Sequence, residues 1–138
     1  MLREEIKNYL PHREPMLLVD EMGMEGDTAV GRYRVRGDEF FLQGHFPGYP
    51  VVPGVILCEI MGQCSSPLML DELPGRLTFY AGIDKVRFKN QVRPGDEIVV
   101  TSRITSRRGL TFFVDAEARV DGRICARGTL LFMLVDKE

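Results

Sequence analysis

The chain has no tryptophan, two histidines and three cysteines, and each scarcity excludes something. Two histidines, His12 and His45, cannot build a multi-histidine metal site, and no clustered Cys/His spacing makes up the deficit, so no metal is expected. Cys58, Cys64 and Cys125 form no CxxC pair and cannot all pair with one another, which argues against a disulfide framework and fits a reducing compartment. No apolar run approaches the ~20 residues of a membrane-spanning helix. The start, MLREEIKNYLPHREP, lacks the apolar stretch and small-residue cleavage site of a signal peptide, so the expectation is a cytoplasmic protein with no membrane partner. Lys+Arg 18 against Asp+Glu 20 leaves no global basic field, which argues against nucleic acid. The motifs GxGxxG, GxxxxGK[ST] and GxSxG are absent, and with them the sequence warrant for dinucleotide binding, a phosphate loop or a hydrolase elbow.

What is present suits one globular domain over residues 1–138: 44% of the chain is apolar, 28% is charged, and there is no repeat or linker-like stretch. A short helix over Glu4 to Leu10 is expected to stop at the Pro11 to Pro15 stretch, followed by strands over Met16 to Asp20 and Thr28 to Arg36. FFLQGHFPGYPVVP, residues 40–53, reads as a stiff loop, with three prolines setting dihedrals and two glycines permitting close backbone approach. From Gly54 the segment VILCEIMGQCSS is apolar around nearly the whole helical wheel except at Glu59, Gln63 and Ser66, so the helix is expected to be buried and to end or kink near Pro67. Four strands then follow: Leu77 to Lys89, Glu97 to Ser106, Leu110 to Val120 and Arg123 to Val135. Asp121-Gly122 signals a tight hairpin and Pro94-Gly95 a type II turn, so the neighbours should be antiparallel. The fold class is α+β, an antiparallel sheet whose concave face receives the hydrophobic helix.

The chemistry concentrates in His45, Gly54 and Glu59. Glu59 is either a carboxylate reaching water at a helix edge or a functional acid, and His45 either a turn histidine or a base. Apolar neighbours on both sides of Glu59 favour function, because an unpaired acid kept there without a purpose is costly. Burial is expected to raise the Glu59 pKa so that it can donate a proton near neutrality, while the imidazole suits proton abstraction. The Gly54 N–H, at the positive end of the helix dipole, is placed to stabilise a carbonyl oxygen gaining charge.

GHFPGYPVVPGVILCEIMGQ, with LPHREPMLLVDEM before it and GIDKVRFKNQVRPGD after it, resembles the β-hydroxyacyl-acyl-carrier-protein dehydratases of type II fatty-acid synthesis, FabZ type. The resemblance implies a hotdog fold, in which a long antiparallel sheet wraps a central helix. It also implies a homodimer that brings the histidine of one subunit near the acid of the other, and it leaves open a trimer of dimers. Residue by residue, His45 would take the α-proton of a (3R)-hydroxyacyl thioester, Glu59 would assist loss of the β-hydroxyl, and the Gly54 N–H would hold the thioester carbonyl. Gln63 matches a glutamine that orients the carboxyl, and Phe46 would contact substrate beside His45. Related dehydratase/isomerases carry Asp where this chain has Glu59, which favours simple dehydration. No cofactor is implied beyond the phosphopantetheine arm that an acyl carrier protein or coenzyme A substrate brings with it. Gly62, Cys64, Ser65, Ser66 and Pro67 depart from the family pattern and bear on the shape of the acyl tunnel.

Other residues support plainer readings. Cys58 and Cys64 on the apolar helix read as buried, inert thiols. His12, in LPHREP, reads as a structural turn residue rather than a second catalyst, and Phe40, Phe41 and Phe88 either as lining of an acyl channel or, the plainer reading, as ordinary core aromatics. Lys85, Arg87 and Lys89 alternate along one strand, either as a solvated face or as a stripe that docks an acidic carrier protein. Two alternatives to the dehydratase stand: a hotdog acyl thioesterase, and a noncatalytic acyl-binding subunit.

Overall fold

Along residues 112–120, Phe112, Val114, Ala116, Ala118 and Val120 are buried while the residues between them face outward, the two-residue period of a sheet covered on one side. A computed structural model describes residues 1–43 and 48–137 and shows how that face is covered. The elements run α1 (Arg3–Ile6), β1 (Glu21–Glu25), β2 (Thr28–Arg34), α2 (Gly54–Cys64), β3 (Arg76–Phe88), β4 (Glu97–Arg108), β5 (Thr111–Val120) and β6 (Arg123–Asp136). The six strands form one antiparallel sheet in the order β1-β2-β4-β5-β6-β3. The expected turns are in place: Asp121 and Gly122 both have positive φ, and Gly95 has φ 92 with the Asp96 N–H donating to the Arg93 carbonyl.

Helix α2 packs against the inner face of β2, β4, β5 and β6, where Leu57, Ile60, Met61 and Cys64 meet Val100, Phe112, Val114 and Leu130 in one core. The α+β arrangement expected from the sequence is therefore present. Among the described residues, no side chain caps the start of α2. At its other end Ser65 Oγ donates to the Met61 carbonyl (2.7 Å) and lies 3.0 Å from Ser102 Oγ, so the polar groups buried there are paired. Pro67 cannot supply the N–H that an α-helix needs, and the chain continues instead as a 3-10 helix over Ser66–Glu72.

Two expectations are corrected. The first helix is the single turn Arg3–Ile6. Met16 to Asp20 is not a strand: the Met16 and Leu17 N–H groups donate back to the Arg13 carbonyl, Gln63 of α2 accepts from the Leu18 N–H and donates to the Met16 carbonyl, each at 2.8 Å, and only at Asp20 does an N–H reach a carbonyl of β2, that of Arg32. The ladder begins only at Glu21, in β1, which the sequence pattern did not reveal.

The helix and sheet approach closely where one glycine permits it. A Cβ on Gly31 of β2 would lie 2.5 Å from the Cβ and Sγ of Cys64, and 3.1 Å from its Cα. Near residue 40, Glu39 accepts hydrogen bonds from the Tyr33 hydroxyl (2.7 Å) and the Arg36 and Gly37 N–H groups (2.9 and 2.7 Å). These donors hold its carboxyl below the usual carboxylate range against the opposing pull of desolvation.

Gly31→Ala is expected to destabilise the protein by about 1–3 kcal/mol in urea unfolding, from overpacking against helix backbone. Gly23→Ala, whose added Cβ would meet no atom of the other described residues within 4 Å apart from its chain neighbours, serves as the control and should change little. Glu39 carries a pKa lowered on folding, so its stabilisation is present above its unfolded pKa and disappears as the pH falls through its folded one. Glu39→Gln should therefore melt lower than the parent at pH 7, and the two melting curves should converge on acidification.

Candidate active site

Helix α2 sets the geometry. Residues four apart on a helix share a face, and Glu59 and Gln63 do so here, with Gln63 Nε2 donating to Glu59 Oε2 at 2.8 Å. Gln63 is buried and spends both of its N–H groups, one on Glu59 and one on the Met16 carbonyl, while its oxygen accepts from Leu18. The amide orientation is thereby settled, since a flip would set its oxygen against two acceptors. The Gln63 expected to orient the acid does contact it.

Glu59 opens onto a cavity of about 190 Å³ whose wall includes Leu10, His12, Ser66, Thr78, Tyr80 and Phe132. Its side chain is 26% exposed, half-buried rather than sealed in the core. The expectation of a raised pKa is overturned: Glu59 is held below the ordinary carboxylate value. Desolvation is the largest single influence and pushes upward, but the His12 imidazole beside the carboxyl and the hydrogen bond from Gln63 together outweigh it. An acid in an apolar helix titrates high only when nothing donates to it, and here two donors do.

His12 is the residue that the sequence reading left outside the site. Its Nε2 stands 3.5 Å from Glu59 Oε2. No local pattern revealed this, because residues 12 and 59 lie on segments that meet only in the folded chain; the one available signal was a histidine in a proline-flanked segment ahead of an apolar stretch.

Gly54 opens α2, where the first N–H groups have no intrahelical acceptor. It lines a second cleft, of about 330 Å³, with Val52, Leu57, Phe88, Lys89 and Asn90. A Cβ at Gly54 would sit 3.0–3.2 Å from three atoms of the Phe88 ring, so glycine lets the aromatic close over the helix start. Phe88 is thus not ordinary core: it is 53% exposed and Phe40 is 44% exposed, whereas Phe41 is buried. His45 and Phe46 lie outside the described residues.

The basic stripe is not continuous. A β-bulge between Asp84 and Arg87 gives Lys85 a φ of 53 and ends the alternation on which the stripe was read. Lys85 lines a groove on the outer sheet face with Arg103 and Arg127, while Lys89 lines the cleft with Gly54. Cys58 and Cys64 are buried, and burial raises both thiol pKa values, as expected of inert cysteines. Tyr80 donates its hydroxyl proton to the Cys58 carbonyl and is likewise held protonated by burial.

Comparison with known proteins places this geometry in a family. A family model for the FabA-like domain matches residues 10–129. The 3-hydroxyacyl-[acyl-carrier-protein] dehydratase FabZ of Streptococcus pneumoniae serotype 4 is 49% identical over 132 residues, covering 94% of each chain. That of Streptococcus sanguinis is 48% identical over the same length, with the same coverage. Among solved structures, the dehydratase heterocomplex ApeI:P from Xenorhabdus doucetiae aligns with a TM-score of 0.79 at 19% identity, over 96% of this chain and 91% of that one. A variant of the fluoroacetyl-CoA-specific thioesterase FlK aligns at 0.69 and 18% identity, over 84% of this chain and 91% of that one. At such low identity these two likenesses speak to the fold, which is the hotdog fold. A chain matched by this family model over most of its length, and nearly half identical to FabZ dehydratases across 94% of it, belongs to the FabA-like family.

Proposed function

We propose that the chain is a hydro-lyase that removes water from (3R)-3-hydroxyacyl thioesters carried on an acyl carrier protein, giving trans-2-enoyl thioesters for type II fatty-acid synthesis. The observation that carries this reading is the Glu59 carboxyl, pinned by Gln63 on a core helix and open to a cavity, in a chain nearly half identical to FabZ dehydratases. In this mechanism the Gly54 N–H binds the thioester carbonyl, and the imidazole of His45 takes the α-proton as the C–H electron pair moves toward that oxygen. The pair then forms the C2–C3 double bond, the C3–O bond breaks, and the departing hydroxyl takes a proton from Glu59 to leave as water. Transfer of the α-proton from His45 to Glu59 restores both groups.

The lowered Glu59 pKa has a consequence. With its pKa held below the ordinary carboxylate value, Glu59 is mostly ionised at neutral pH, and the protonated form that serves the departing hydroxyl is its minority form. In the reverse direction the Glu59 carboxylate is already the base that activates water for addition to the enoyl thioester.

The reading includes a homodimer, and the sheet edges support it. Edge β1 is five residues long and acidic at both ends, a blunted edge. Edge β3 is thirteen residues long, pairs only with β6 among the described residues, and exposes Phe79 (55%), Ile83 (52%) and Phe88 (53%), a surface suited to a second copy of the chain. His45 of one subunit would then serve Glu59 of the other. The enzyme needs no cofactor of its own, since the phosphopantetheine arm arrives with the substrate. The described residues contain no helix long and apolar enough to cross a membrane, in keeping with a cytoplasmic enzyme.

Incubation with a (3R)-hydroxyacyl thioester and with crotonyl thioester tests the reading. Reversible change in enoyl absorbance without thiol release is expected; thiol release would instead identify a thioesterase, and neither signal an acyl-binding subunit. His45→Ala and Glu59→Gln should each lower turnover at least ~100-fold with the fold intact, and near-normal turnover in either variant refutes its role. Of the three basic residues, Lys89 is best placed to meet a carrier at the Gly54 cleft. Lys89→Ala should raise KM for carrier-linked substrate more than for a short synthetic thioester, and more than Lys85→Ala or Arg87→Ala does. Equal effects on both substrates would eliminate the docking role.

A further inference from the structure

Glu59 presents two chemically different oxygens. Oε2 receives the Gln63 Nε2–H at 2.8 Å and faces His12 Nε2 at 3.5 Å, a contact longer than an ordinary N–H···O hydrogen bond and close enough for the imidazole to act on that oxygen electrostatically. No hydrogen bond to Oε1 is recorded among the described residues. The tautomer of His12 follows from its other nitrogen: Nδ1 is buried with no hydrogen-bond partner among the described residues, so a proton there would be stranded, whereas on Nε2 it points at the carboxylate. Two donors converging on Oε2 leave no room for a proton on that oxygen. A proton held by Glu59 therefore sits on Oε1.

We propose that His12 is a positioning residue of the dehydration, which together with Gln63 pins Oε2 of Glu59 so that Oε1 is the oxygen that passes its proton to the departing hydroxyl. This rests on the dehydratase reading above. The clamp is built from three stretches of chain. Arg13, next to His12, donates to the Leu10 and Lys7 carbonyls, which fixes the turn that carries the imidazole. Gln63 is fixed in turn by Met16 and Leu18. With both donors in place the carboxyl plane cannot rotate to exchange its oxygens without giving up hydrogen bonds on a half-buried group, and the reacting oxygen keeps one direction.

The other titratable side chains around Glu59 do not compete for this role. Tyr80 and Cys58 are both kept protonated by burial, and the Tyr80 hydroxyl donates a hydrogen bond to the Cys58 carbonyl. His12 and Gln63 are the side chains that stand against the Glu59 carboxyl among the described residues, and both are among the causes that lower its pKa.

Three variants test the clamp. His12→Phe removes the donor and keeps a ring, His12→Gln keeps an N–H near the Nε2 position, and His12→Asn keeps an amide too short to reach. The Glu59 side-chain carboxyl is followed by carbon-13 NMR across a pH titration, and kcat and KM are measured over the same range. In His12→Phe and His12→Asn the Glu59 midpoint should rise by roughly one pH unit. The acid limb of the kcat profile should move up with it, and kcat should fall roughly 10-fold while KM stays within about twofold of the parent. His12→Gln should restore most of both. An unmoved Glu59 midpoint in the folded Phe or Asn variant overturns the contact. A moved midpoint with unchanged kcat overturns its part in the reaction. A KM effect alone would make His12 a substrate-binding group and also overturn the proposal. If the parent protein dehydrates no thioester, the proposed function fails, and the NMR midpoints still decide whether His12 holds Glu59.

Discussion

A buried primary amide must find partners for two donors and an acceptor or carry the full cost of their desolvation. Gln63 meets that requirement with the backbone of Met16 and Leu18 on one side and the carboxyl of Glu59 on the other, and much of the molecule is arranged around those bonds. The segment from Met16 to Asp20 is drawn along α2 rather than into the sheet, and Leu17, Leu18 and Val19 are buried there. Asp20 then ties this segment outward, accepting from Arg3, from Arg36 and from the Arg34 backbone. One side chain thereby couples the amino-terminal segment, the central helix and the acid.

The same coupling decides the electrostatics. Removing a carboxylate from water favours its neutral form, and this is the largest single influence on Glu59, yet the direction is reversed by donors from His12 and Gln63. The acid is held in its ionised form and constrained in direction, so orientation rather than a raised pKa is what the site supplies. The sheet imposes a second constraint. With α2 covering one face and β3 left as a long apolar edge, a single chain places Glu59 and Gly54 on the helix beside an unpartnered border. The proposal of a two-chain active site rests on that asymmetry.

Much of this was legible one residue at a time. The alternation along β5, the Asp121-Gly122 hairpin and the Pro94-Gly95 turn are local signals set by steric rules within a few residues, and the strands and turns they indicate are present. The unusual apolarity of α2 announced a buried helix, and the spacing of Glu59 and Gln63 announced their contact. The failures share one cause. Met16 to Asp20 has the composition of a strand, but its backbone partner is a side chain 45 residues further on. The β3 bulge that splits Lys85 from Lys89 is accommodated by Gly128 of β6, where a Cβ would lie 2.5 Å from Val86 Cγ2. Neither fact is written near the residues it affects.

The sequence by itself determined five of the six strands, β2 to β6, the core helix, the family, and a glutamate with a glutamine one turn beyond it, because periodicity, turn chemistry and motif all act over short spans of chain. Only the tertiary structure decided that Glu59 is held ionised, that His12 stands against it, and that the lysines face different surfaces. Those outcomes depend on which groups from distant segments arrive within hydrogen-bonding distance, and a pKa or a tautomer is a property of that meeting rather than of the residue.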